Sequence, residues 1–167
     1  MPARPAATPV DPESLSVSHL AHFVGVFANQ LVLLEMKRAG FGDLRESHGY
    51  LVQHLLREPH SVGQLSKRLG VSQQAVSKSV AELTRSGYVE SHAGEDARVK
   101  VISLSDRGHE AVHAGRRIRD RLERRLRARL GERRSRALRA GLLELLQELG
   151  GTEAVKGRRV PSGEAQP

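Results

Sequence analysis

Apolar residues recur at helical spacing at Leu20, Phe23, Val24, Phe27, Leu31 and Leu34, which predicts a first amphipathic helix over about residues 15–39. Gly40 and Gly42 end it. A second helix over about 46–57 stops ahead of Pro59, whose ring disfavours helical backbone in the residue before it. Ser61 and Gln64 have the spacing of a capping box, so a short helix starts there and ends at Gly70. Ser72 caps the next helix, which runs to about Ser86 and terminates at Gly87, with Ala75, Val76, Val80 and Leu83 on its inner face. Only Gly70-Val71-Ser72 separates these two helices, a turn short enough to force a steep crossing.

The pattern then changes. Tyr88–Ser91 and Val99–Leu104 have the β-branched and aromatic content of short strands, and the turn-like HAGEDAR between them makes a hairpin. Ser105 caps a long helix over 106–130 with an apolar stripe of Ile118, Leu122, Leu126 and Leu130. A last helix over about 132–149 carries Leu138, Leu142, Leu145, Leu146 and Leu149 on one side. The fold class is mainly α with a small β-hairpin wing: a winged helix-turn-helix with flanking dimerisation helices. Its parts are a disordered N-terminal arm (1–13), a helical dimerisation region (14–45 and 106–150), a winged helix-turn-helix (46–105) and a disordered tail (151–167). The apolar faces of the first and last helices are expected to pack together and against a second copy, giving a homodimer.

Charge changes this picture less than its size suggests. The chain is +8, with a pI near 10.7. Segment 116–139 alone holds twelve arginines against Asp120, Glu123 and Glu132, a local +9 that exceeds the whole net charge. The excess belongs to the long helix and its successor, where i,i+4 pairs such as Asp120–Arg124, Glu123–Arg127 and Glu132–Arg136 leave most arginines without a local partner. The absence of cysteine excludes disulfides, thiolate metal sites and cysteine redox switches. The N-terminus has no apolar signal-type core and no apolar run is expected to reach membrane-spanning length, so a cytoplasmic protein without a membrane partner is expected.

The helix after Ser72 is the candidate reader of DNA. Gln73, Gln74, Ser77 and Lys78 form its early polar face. A glutamine amide can both donate to and accept from adenine, and lysine reaches guanine or phosphate. Ser72 and the free N–H groups of the first turn favour an anion such as phosphate. Lys67, Arg68, Arg85 and Lys100 are candidate phosphate contacts. In the wing, Arg98 suits the narrow minor groove, with Asp96 placed to fix its side chain. The partner is therefore double-stranded DNA.

Histidines offer a metal alternative. His19 with His22, and His109 with His113, are spaced to share helical faces, and His48 and His54 fall on the second helix. A zinc-type site drawn from His19, His22, His48, His109 and His113 is the weaker reading beside no metal and no cofactor. His60 and His92 fall in loops and are expected to face solvent. No nucleophile elbow or Gly-rich phosphate loop is present, so an enzyme is not expected. An architectural binder that reads shape through the arginine helix, and a winged module that binds protein, are the remaining alternatives.

LSKRLGVSQQAVSKSVAELTRSGYVE, then EDAR, then VISLSDRGHEAV, resembles the MarR family of transcription regulators, most specifically over 61–112. The family's recurring marks correspond to Asp96 and Arg98 in the wing and to Leu104, Ser105 and Gly108 at the start of the long helix. The resemblance implies a homodimer whose recognition helices enter successive major grooves of a near-palindromic operator. It also implies a repressor released by a small anionic or phenolic effector held between the dimerisation helices and the reading lobe.

Overall fold

A computed structural model describes residues 10–94 and 99–159. A 3-10 turn at Pro12–Ser14 precedes α1 (Val17–Arg38), α2 (Glu46–Leu55), β1 (His60–Ser61), α3 (Val62–Leu69) and α4 (Gln73–Arg85). Then come β2 (Val89–Ala93), β3 (Lys100–Leu104), α5 (Asp106–Leu130), α6 (Glu132–Glu148) and α7 (Thr152–Gly157). The capping residues explain the boundaries. Ser16, Ser61, Ser72 and Ser105 each accept a backbone N–H three residues on, at the starts of α1, α3, α4 and α5. Gly70, in the left-handed region at φ 71°, closes α3.

The sheet has order β1-β3-β2 and both pairings are antiparallel. In β3 the pleat buries Ile102 and Leu104 and turns Val101 and Ser103 outward. Val89 pairs with Leu104 and Ser91 with Ile102 across one edge, while His60 pairs with Ile102 across the other. One apolar cluster unites the molecule, from Val32 and Met36 of α1 through Leu51, Leu65, Leu83 and Tyr88 to Ala111 and Ile118 of α5. Gly108, Ala111, Ala114 and Gly115 make the buried face of α5 small, which lets neighbouring elements approach closely.

β1 is a strand where a loop was expected, and its His60 is buried rather than solvent-facing. His92 lies in β2 and is exposed. Ala75 is exposed, because Val76, Val80 and Leu83 define the inner stripe and Ala75 falls one residue behind it. Within the stretch expected to be a disordered tail, Thr152–Gly157 is helical, and Pro12–Ser14 of the expected arm forms a turn. α1 packs on α5, whereas α6 follows α5 after Gly131, buries no residue of its own and does not pack along α1 as expected. The outer faces of α1 and α6 stay open, with Phe27 65% and Leu149 78% exposed. α1 is also long and apolar enough to cross a membrane by length and composition, contrary to expectation. Of the three expected arginine pairs, Arg127–Glu123 and Arg136–Glu132 form, at 2.9 and 3.6 Å. Asp120–Arg124 does not appear among the described ion pairs.

Candidate nucleic-acid interface and the cavity behind it

α4 is held from behind and bare in front. Val76 and Leu83 are buried against Leu65 and Leu69 of α3, and Val80 packs at the edge of that cluster. Ser72 Oγ accepts the Ala75 N–H at 3.2 Å, and Ser61 with Gln64 closes its reciprocal box at 3.2 and 2.8 Å. Gln73, Gln74, Ser77 and Lys78 are all exposed on the first two turns of α4, and Ala75 joins them. Lys67 and Arg85 are exposed on the flanks, and Lys100 at the start of β3. Arg68 is exposed too, but its guanidinium is already paired with Glu58 at 3.2 Å. The Gly94 N–H donates to the Val99 carbonyl at 2.8 Å. Asp96 and Arg98, which follow Gly94 in the wing sequence, lie outside the described residues.

Arg107 is a tie that sequence reasoning missed. It donates to the Ser86 and Gly40 carbonyls at 3.2 and 3.0 Å. Its guanidinium also lies 5.4 Å over the Phe41 ring and 4.9 Å over the Tyr88 ring. One side chain of α5 thus joins the end of α1 to the end of α4. Ser105 adds a second tie, donating from Oγ to the Gly87 carbonyl at 2.5 Å while accepting from the Gly108 N–H.

The histidines do not assemble a metal centre: among the described residues no three His, Cys, Asp or Glu side chains gather as a ligand set. His19 bonds Ser16 at 3.0 Å, and His109 and His113 are exposed on α5. His48 is 2% exposed and engaged otherwise. Its Nδ1 accepts the Arg45 backbone N–H at 3.3 Å, so the neutral ring carries its proton on Nε2 and donates it to Glu82 Oε2 at 3.1 Å. The Arg45 guanidinium pairs with the same carboxylate oxygen. Burial, assisted by the Arg45 charge, holds the His48 pKa below the ordinary imidazole value.

A cavity of about 480 Å³ opens between α1, α2, α5 and α7. Its walls are apolar, among them Val32, Met36, Tyr50 and Val112, and its charged groups are Arg45, Arg116, Arg119, Arg158 and Arg159 against Glu46. α7 supplies Ala154 and Val155 to the rim. Arg158 anchors that segment by donating to the Gln53 side-chain and backbone oxygens at 2.7 and 3.2 Å, and His54 meets the Arg158 carbonyl at 3.4 Å.

The family model described as MarR family matches residues 43–99, from the turn before α2 to the start of β3. Over these residues the winged lobe is similar to the MarR family. Among solved structures, S. aureus MepR in complex with DNA aligns at a TM-score of 0.63 and 21% identity, covering 81% of this chain and 100% of that one. Streptococcus pneumoniae FabT in complex with DNA aligns at 0.62 and 24% identity, covering 81% and 98%. S. aureus MepR bound to ethidium bromide aligns at 0.58 and 21% identity, covering 82% and 99%. At these identities the likeness establishes a shared fold. Comparison with curated protein sequences gave no match.

Proposed function

We propose that the chain is a homodimeric, sequence-specific binder of double-stranded DNA that regulates transcription from a near-palindromic operator. The observation that carries this reading is the exposed Gln73, Gln74, Ser77 and Lys78 face on a helix whose opposite side is capped and buried. Such a face sits at the N-terminal part of a recognition helix, where side chains reach base edges in the major groove. The two glutamines suit adenine, Lys78 guanine or phosphate, and the exposed Ala75 methyl suits the thymine methyl. Ser72, Lys67, Arg85 and Lys100 hold phosphates, and Arg68 does so after leaving Glu58. Arg98, oriented by Asp96, enters the minor groove. The MarR match and the DNA complexes of MepR and FabT support this assignment.

The open apolar faces of α1 and α6 form the interface with a second copy, which hides surface that a soluble monomer rarely leaves exposed. The protein is a repressor in the cytoplasm, a binding protein rather than an enzyme, released from DNA by a small molecule in the cavity. Five arginines against one glutamate select an anionic, partly apolar effector. Titration of a labelled duplex by fluorescence anisotropy over a range of salt tests the DNA reading. A steep linear fall of log K with log salt is expected, because neutralised phosphates release counterions. Failure to bind any duplex at low salt would contradict it and favour a protein partner.

A further inference from the structure

Arg45 belongs to two sites at once. It lines the cavity, and its guanidinium pairs with Glu82 on α4. Among the described residues, Glu82 is the one side chain of α4 in an ion pair; the rest of the helix is seated by apolar contacts. Glu82 is mostly removed from solvent, its side chain only 19% exposed, so the charge needs its partners. His48 supplies a neutral N–H from below and Arg45 the positive charge.

We propose that Arg45 couples the cavity to the reading helix: an anionic ligand takes the guanidinium, and Glu82 loses the charge that holds α4 in place. The inference rests on the reading of the cavity as an anion site and adds how occupancy is transmitted. One cation cannot satisfy both carboxylate and ligand with the same fork of donors, so the two compete. When Arg45 turns inward, Glu82 keeps only the His48 N–H. A partly desolvated carboxylate without a counter-charge is then drawn toward solvent, and it carries α4 with it. His48 remains as the pivot, since its ring is fixed by the Arg45 backbone at the start of α2. Coupling is reciprocal: bound DNA, by holding α4 in its seated position, must weaken the ligand by the same factor.

The test uses the full chain, a dye-labelled duplex that it binds, and 8-anilinonaphthalene-1-sulfonate as an anionic probe whose own fluorescence reports binding. Saturating probe should weaken wild-type DNA affinity by about five- to hundredfold. Glu82→Gln keeps the shape and the bond to His48 but removes the charge competing for Arg45. It should bind the probe at least as tightly as wild type, while the effect on DNA shrinks to about twofold or less. Arg45→Met should weaken DNA binding without probe and show no further loss with it. Val112→Trp, which fills the cavity, should abolish probe binding. A Glu82→Gln protein that retains the wild-type factor overturns the Arg45 relay and leaves the cavity reading intact. A probe that does not bind wild type, or that binds Val112→Trp equally, overturns the cavity reading itself and the relay with it.

Discussion

Gly108→Ala and Gly115→Ala place the same methyl on the buried side of the same helix and should have opposite effects. A Cβ on Gly108 would run into the carbonyl oxygen of Tyr88 and come within 3.2 Å of Leu104 Cδ2. That carbonyl cannot retreat easily, because it accepts the Ser105 N–H at 3.1 Å and belongs to a residue only 1% exposed. Separating α5 from β2 to make room disturbs the start of the helix, and because backbone is struck the overpacking cost lies at the top of its usual range, about 3 kcal/mol. A gain in helix propensity of up to about 1 kcal/mol opposes it, so the expected net loss is about 2 kcal/mol. At Gly115 the new Cβ would meet the mobile end of Arg119 at 3.1 Å and Met36 Sδ at an ordinary 3.7 Å. There the propensity term wins, and a gain of about 0.5–1 kcal/mol is expected. For a chain of this size each kcal/mol moves the thermal midpoint by about 2–4 °C. Melting at one fixed protein concentration should therefore show Gly108→Ala about 4–8 °C below wild type and Gly115→Ala slightly above it. Equal midpoints for the two variants would refute the close approach of α5 to the Tyr88 backbone.

Arg98→Ala should lower duplex affinity by about 1–3 kcal/mol in anisotropy while sedimentation shows the dimer unchanged; wild-type affinity would remove the wing from the interface. Burial, as the leading cause, holds the pKa values of His48, His54 and His60 below 6.5. The unfolded chain therefore takes up protons first as pH falls through about 6.5, and stability should be full above that value and decline below it. Thermal midpoints across that range check the sign, with His48→Gln flattening the slope; a wild-type midpoint that rises in acid would contradict it. Deleting residues 152–167 removes one wall of the cavity and two of its arginines, yet α7 buries no residue of its own. The anionic probe should bind the truncated chain more weakly with little change in melting; unchanged probe affinity would take α7 out of the site.

Local chemistry made most of the fold legible. Serine caps at 61, 72 and 105 and glycines at 70 and 87 are signals a few residues long, and the helices they bound appear within a residue or two. What could not be read depends on partners far along the chain. β1 is two residues long and exists because β3, some forty positions later, offers it an edge. α7 has no side-chain cap and is held by Arg158 reaching back to Gln53. The exposed polar face of α4 is legible as a polar run after a cap, whereas Ala75, small enough for either side of a helix, falls on the exposed one. The helical spacing of His48 carries no sign that the fold buries it beneath Glu82. The cavity has no sequence signature at all, since its wall comes from four separate helices.

Whether α4 reads base sequence is decided by selection of bound duplexes from a random pool. The wild-type chain should enrich a near-palindrome with two half-sites about one helical turn apart, one for each recognition helix of the dimer. Gln74→Ala, run in parallel, should relax preference at one symmetric pair of positions and leave the rest. Strong retention of DNA with no enriched motif would contradict base readout by α4 and leave a binder that reads only charge and shape.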